Sequence, residues 1–170
     1  CTGDRHRRGR VKIRVAWLGR PKAGPFEQQV ETYRKRVGRR WPAEDRALRP
    51  VSGGRDRDPE RAARMEAEIL ERQKEPGWLL VALDEHGRAR NSENFAKWLA
   101  AAADRGVRGI AFAIGSDIGL DGALVQRADD RLALSSMTLP HALARLVLWE
   151  QIYRATQILG GGAYHRVGLQ

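Results

Sequence analysis

Residues 78–83 read WLLVAL and residues 109–114 read GIAFAI. Each is a continuous apolar run about one strand long, and the first is bounded by Pro76-Gly77 and Asp84. Such runs belong to strands covered on both faces, which requires helices on both sides of a mostly parallel sheet. Upstream, Val11–Leu18 alternates with Ile13, Val15 and Trp17 on one face and stops at Gly19-Arg20-Pro21. Pro25 opens a helix whose Phe26, Val30, Tyr33 and Val37 form one apolar stripe, ended by Gly38. Glu44–Val51 is a weaker strand. Asp58 then caps a helix with Pro59 at its first position, running to about Lys74. Between the two apolar runs, Ser92 caps a third helix with Phe95, Trp98, Leu99 and Ala102 on one side. Downstream come a short helix near 121–128, a strand at Leu132–Leu134 and a long helix from about 140 to 159. Strands alternating with helices over short connections make an α/β fold, a layered, mostly parallel sheet with helices on both faces.

The chain has 170 residues, enough for one domain with a sizeable core. Lys and Arg number 31 against 21 Asp and Glu, a formal charge of +10 with a pI near 10.7, which points to a polyanionic partner. Residues 1–10 (CTGDRHRRGR) carry four Arg and one Asp, +3 of that charge, and lack hydrophobic periodicity. They read as a disordered basic arm, or as an artefact of the start site or of expression, and leave +7 on residues 11–170, read as one domain. The single cysteine, Cys1, excludes a disulfide framework and a cysteine-based zinc site. No apolar run approaches the ~18 residues of a membrane span, and residues 1–10 lack the apolar stretch of a secretory signal. The expectation is a soluble, cytoplasmic protein without a metal.

In open α/β sheets ligands bind beyond the carboxyl ends of the strands. Three segments lie there: Leu83-Asp84, the loop Gly115-Ser116-Asp117-Ile118-Gly119-Leu120, and Leu134-Ser135-Ser136-Met137-Thr138-Leu139. The glycine loop is neither a dinucleotide fingerprint nor a phosphate loop, and as a plain strand-to-helix turn it would need no ligand. Leu134–Leu139 is apolar and hydroxyl-bearing, which suits a buried connection or a wall of backbone groups around a flat apolar ligand such as adenine. His6, His86, His141 and His165 lack the partners of a hydrolase elbow or a metal-binding helix. His141, at a helix start, suits a capping or hydrogen-bonding role and shares a face with Arg145 one turn on; Glu150 and Arg154 have the same spacing, which a surface ion pair also explains. Arg34, Lys35, Arg36, Arg39 and Arg40 put five basic residues within seven positions, a phosphate-contact patch or a solvated helix end.

Gly115 with Gly119-Leu120, then Leu134–Leu139, Pro140-His141, Arg145, Glu150–Arg154 (EQIYR) and Tyr164-His165-Arg166 together resemble the RlmH (YbeA) family of the SPOUT superfamily. The resemblance implies S-adenosylmethionine-dependent methylation at N3 of a pseudouridine in 23S rRNA of the assembled bacterial ribosome. It also implies a C-terminal trefoil knot and a homodimer whose long helices pack together near each active site. Leu146, Trp149 and Tyr153, on one stripe of the last helix, are the outer apolar positions expected to serve that contact. Carried over by position, cofactor contacts fall on Leu83, Gly115, Leu134, Ser135, Ser136, Met137, Thr138 and Leu139. Tyr164, His141 and Tyr153 are candidates for RNA contact, with Arg145, Arg154, His165 and Arg166 as candidates for catalysis.

The family usually carries a second glycine and a polar or acidic residue where this chain has Ser116 and Ile118. Ser116 adds a Cβ near the cofactor, whereas Asp117 supplies a polar group one position earlier, and the loop length is kept. Methyl transfer from a sulfonium needs positioning and loss of the imide proton, which nearby cations favour. Two other readings share these residues: a SPOUT ribose 2′-O-methyltransferase, and a non-catalytic ribosome-binding factor that kept the fold.

Gly160-Gly161-Gly162 precede the Tyr-His-Arg tripeptide, with Tyr164 offering a stacking face for a splayed-out base and Arg166 a cation. Deleting residues 164–170 is expected to abolish rRNA methylation while leaving the fold and cofactor affinity intact, as read by circular dichroism, calorimetry and a ribosome methylation assay. Full-rate methylation by the truncated protein would deny the tail any role.

Overall fold

The structure is a computed structural model that describes residues 10–22, 24–51 and 58–162. Tyr164, His165 and Arg166, and the basic arm up to residue 9, lie outside the described residues. In chain order the elements are β1 (Lys12–Leu18), α1 (Glu27–Gly38), β2 (Ala43–Leu48), α2 (Pro59–Glu71), β3 (Trp78–Ala89), α3 (Ser92–Asp104), β4 (Gly109–Ile114), α4 (Gly122–Arg127), β5 (Asp130–Ala133) and α5 (His141–Leu159). The five strands form one sheet in the order β2-β1-β4-β3-β5, with every neighbouring pair parallel.

Two apolar layers sandwich this sheet. On one face Ile13, Val15, Trp17, Val81, Ile110 and Phe112 pack with side chains of α1, α3 and α5; on the other Ala16, Leu18, Leu80, Ala111 and Ala113 meet Leu70 of α2 and Leu124 of α4. The run GIAFAI is buried at every position because β4 lies between β1 and β3. β1 is also covered on both faces, so its polar-looking Arg14 is only 3% exposed. Its guanidinium donates to Glu44, to Glu75 and to the Gln73 carbonyl and stacks 4.6 Å over the Trp78 ring. Burial alone would push the Arg14 pKa down; the two carboxylates reverse this and hold it above its ordinary value.

Several sequence expectations shift. The N-cap of α3 is Asn91, whose side chain accepts the Asn94 N–H at 2.8 Å; Ser92 instead donates to Gln151 of α5 at 2.6 Å. The helix α2 stops at Glu71, before Lys74, and β2 spans Ala43–Leu48 rather than reaching Val51. β5 ends at Ala133, leaving Leu134 to the following loop. β3 does not end at Leu83 but continues to Ala89 after an irregularity: Leu83 and Arg88 both register with Leu132 of β5, so residues 84–87 are looped out. Gly87 permits this, since a Cβ there would lie 2.8 Å from the Arg131 backbone. Trp149, expected on an outer stripe of α5, is wholly buried, with Leu146 and Tyr153 packed against the same core.

One buried ion cluster, centred on Asp45, joins four elements. Asp45 of β2 accepts the indole N–H of Trp17 (3.1 Å) and of Trp149 (2.8 Å), while Arg145 of α5 donates to both of its oxygens at 3.0 and 2.6 Å. Arg145 also reaches Glu27 of α1 at 2.6 Å and lies 4.0 Å over the Trp17 ring. Desolvation works against the charged guanidinium, but Glu27 and Asp45 outweigh it and raise the Arg145 pKa. Asp45→Ala would leave two indole donors and part of the Arg145 guanidinium unmatched, with Glu27 still paired to Arg145, and is expected to cost about 2–4 kcal/mol in urea unfolding.

Candidate functional site

The looped-out residues of β3, the turn after β4 and the segment after β5 meet at the carboxyl end of the sheet, where ligands bind in open α/β folds. They enclose a cleft of about 590 Å³, within the size range of small-molecule sites. Leu83, Asp84 and Glu85 form one wall, the turn Ile114–Leu120 without Ile118 a second, and the segment Leu134–His141 without Ser136 a third. Its apolar lining comes from Leu83, Ile114, Leu120, Leu132, Leu134 and Leu139, with Met137 74% exposed at the rim.

Side-chain bonds hold the walls together. Thr138 donates its hydroxyl to Glu85 at 2.5 Å, which joins the third wall to the first. His141, at the first turn of α5, pairs through Nδ1 with Asp117 at 2.9 Å, which joins the third to the second. The Ser135 hydroxyl accepts the Met137 N–H at 2.9 Å and shapes the turn between them. Gly115 is required where it stands, because a Cβ would lie 2.9 Å from the Gly119 carbonyl carbon. Among the described residues the lining holds three carboxylates, Asp84, Glu85 and Asp117, and neither Lys nor Arg, in a chain of net charge +10. Outside the lining, the Arg131 guanidinium lies 3.8 Å from Asp84.

Of the cofactor candidates, Leu83, Gly115, Leu134, Ser135, Met137, Thr138 and Leu139 line the cleft, whereas Ser136 is exposed and outside the lining. His141 lines it too. Arg145 does not: although one turn from His141, it points into the buried cluster with Glu27 and Asp45 and offers no free cation to the cleft. Arg154 is held by Glu150 at 2.6 Å. Tyr153 packs against Tyr33 with ring centroids 5.7 Å apart, and Arg36 lies over both rings. Within the basic cluster, Arg34 is tied to Glu31 and the Ala43 carbonyl and Lys35 lies 3.6 Å from Glu31, while Arg40 stacks on Trp41. Arg36, Arg39 and Arg40 are exposed at the C-terminal end of α1. Among the described residues no cluster of His, Cys, Asp and Glu could hold a metal ion.

Sequence reasoning missed Glu85 as a lining residue and Glu66 behind the glycine loop. Both left traces: Asp84-Glu85-His86-Gly87 is turn-like composition inside a strand, and Glu66 interrupts the buried stripe Ala62, Ala67 and Leu70 of α2.

Residues 11–165 match the family model described as "Predicted SPOUT methyltransferase". The chain is similar to the ribosomal RNA large subunit methyltransferase H of Rhizobium rhizogenes, at 39% identity over 92% of this chain and 100% of the relative. Relatives of the same name from Rhodospirillum centenum and Sinorhizobium medicae are 42% and 43% identical, each over 92% of this chain and 99% of the relative.

Gly115→Ala would force the turn away from Gly119, and the expected destabilisation is about 1–3 kcal/mol in denaturant unfolding. A loss under roughly 0.5 kcal/mol would show that the turn yields freely.

Proposed function

This chain belongs to the SPOUT methyltransferase family, and from that premise we propose that it methylates N3 of a pseudouridine in 23S rRNA of the assembled ribosome, using S-adenosylmethionine. The observation that carries the reading is the acidic, apolar-walled cleft at the carboxyl end of the sheet. A sulfonium cofactor is cationic, and a chain of +10 would otherwise repel it; Asp84, Glu85 and Asp117 reverse the local sign. Leucine side chains suit an adenine face, and the close backbone packing at Gly115 suits main-chain recognition. The residues present therefore fit the group.

When bound, S-adenosylmethionine supplies a methyl group on a cationic sulfur, ready for in-line displacement. The chain's part is to hold the target nitrogen in line and to ease loss of its proton. Leu83, Gly115 and Leu134 to Leu139 form the cofactor's walls, with Ser136 acting through its place in that turn. His141 stands at the mouth, held by Asp117. His165 and Arg166 of the tail, with Tyr164 stacking on a base, are assigned to the target nucleotide, and Arg154 to the same neighbourhood. Arg145 acts as a positioning residue for α5 through its ion pairs. Arg36, Arg39 and Arg40 face solvent and suit phosphate contact, with Lys35 and the partly committed Arg34 beside them.

The reading includes a trefoil knot, a single domain over 11–170, a cytoplasmic location and a homodimer. Among the described residues, two of the three large exposed apolar side chains, Ile118 and Met137, flank the cleft, which supports a covered rim in the dimer. Among the described residues no helix is long and apolar enough to cross a membrane. Ser116 does not favour a non-catalytic factor, since its hydroxyl turns to Glu66 rather than filling the cleft.

Nucleoside mass spectrometry of rRNA from a strain lacking this gene tests the reading. N3-methylpseudouridine should disappear from 23S rRNA and return when the gene is restored; a ribose-methylated nucleoside in its place, or no change, would overturn it.

A further inference from the structure

Glu66 stands in the middle of α2, on its buried face, and is 2% exposed. Removing a carboxylate from water is costly unless its oxygens are hydrogen-bonded. Both are: one accepts the Ser116 hydroxyl at 2.7 Å and the other the Val51 N–H at 3.1 Å. Among the described residues no ion pair reaches Glu66. A helix on the far face of the sheet thus grips the glycine turn from behind.

Ser116 is well placed to transmit that grip. Its carbonyl accepts the Gly119 N–H at 2.9 Å, closing the turn, and it pairs with Gly119 in an isolated antiparallel bridge. Gly115, Ser116, Asp117 and Gly119 all line the cleft. The hydroxyl that the family pattern lacks at this position is therefore the bond that ties the turn to the protein's interior.

We propose that Glu66 is a positioning residue for the cofactor-binding turn, acting through the Ser116 hydroxyl. Removing either group frees the turn to move against the cleft, which weakens ligand binding without touching the reacting atoms. The same carboxylate holds Val51, so the β2–α2 connection and the glycine turn share one anchor. The effect on cofactor binding rests on the methyltransferase reading; the effect on the turn does not.

The full chain carries the test as Ser116→Ala, Glu66→Gln and the double variant. Amide hydrogen exchange at Gly119, measured without ligand, should quicken about tenfold in each single variant. Calorimetry should show the Kd for S-adenosylmethionine raised about five- to twentyfold, with KM for the cofactor following and kcat on ribosomes within about twofold. The double variant should be no worse than the more affected of the two single ones, since the Ser116–Glu66 bond can be lost only once. Unchanged Gly119 exchange in Ser116→Ala, or losses that multiply in the double variant, would overturn the proposal. If the unmodified protein binds no S-adenosylmethionine, the methyltransferase reading fails, and the exchange measurement still decides the role of Glu66. Should Glu66→Gln not fold, Ser116→Ala decides it alone by the same measurements.

Discussion

The carboxylate of Asp45 is the point on which the placement of α5 depends. Two indole N–H groups and the Arg145 guanidinium converge on it, and Arg145 carries the link on to Glu27. These residues come from β1, β2, α1 and α5, elements up to 118 positions apart in sequence. Such a cluster repays the desolvation of its charges only when every donor and acceptor is matched, which makes it selective for one docking of the helix. Since His141 at the start of α5 frames the cleft, a constraint on the far side of the helix determines the geometry of the mouth.

The cleft itself arises from an irregularity. A regular β3 paired throughout with β5 would leave no outward excursion at residues 84–87. The excursion brings Asp84 and Glu85 toward the glycine turn and gives Thr138 its partner. Bulges of this kind recur beside active sites because they redirect a few side chains while the rest of the ladder stays paired. Here the redirected groups are acidic.

Charge is therefore divided within a strongly basic chain. The exposed end of α1 carries Arg36, Arg39 and Arg40, a surface suited to a polyanion. Among the described residues the cleft lining carries three carboxylates and no Lys or Arg. An RNA methyltransferase of this kind must attract phosphates and hold a cationic cofactor, two demands of opposite sign. Separation on the surface satisfies both, because screening at physiological salt limits the reach of each patch to about 8 Å.

The sequence by itself determined the α/β class, the strand and helix order and most of the cleft's lining. Continuous apolar runs and helical stripes report burial directly, and a strand's carboxyl end is a local property. Leu134–Leu139 stood out because its composition is wrong for a solvated loop. What only the tertiary structure decided are partnerships across the chain. Arg145 and His141 share a helical spacing, yet Arg145 enters a buried ion cluster with Glu27 and Asp45 while His141, a turn earlier, meets Asp117 at the cleft. Trp149 looked like an outer position, but the same cluster draws its indole inward. The Ser116–Glu66 bond joins residues 50 positions apart, and no periodicity encodes it. Local pattern specifies which face of an element is apolar; which polar group meets which is settled when the elements dock, by the cost of leaving any of them unmatched.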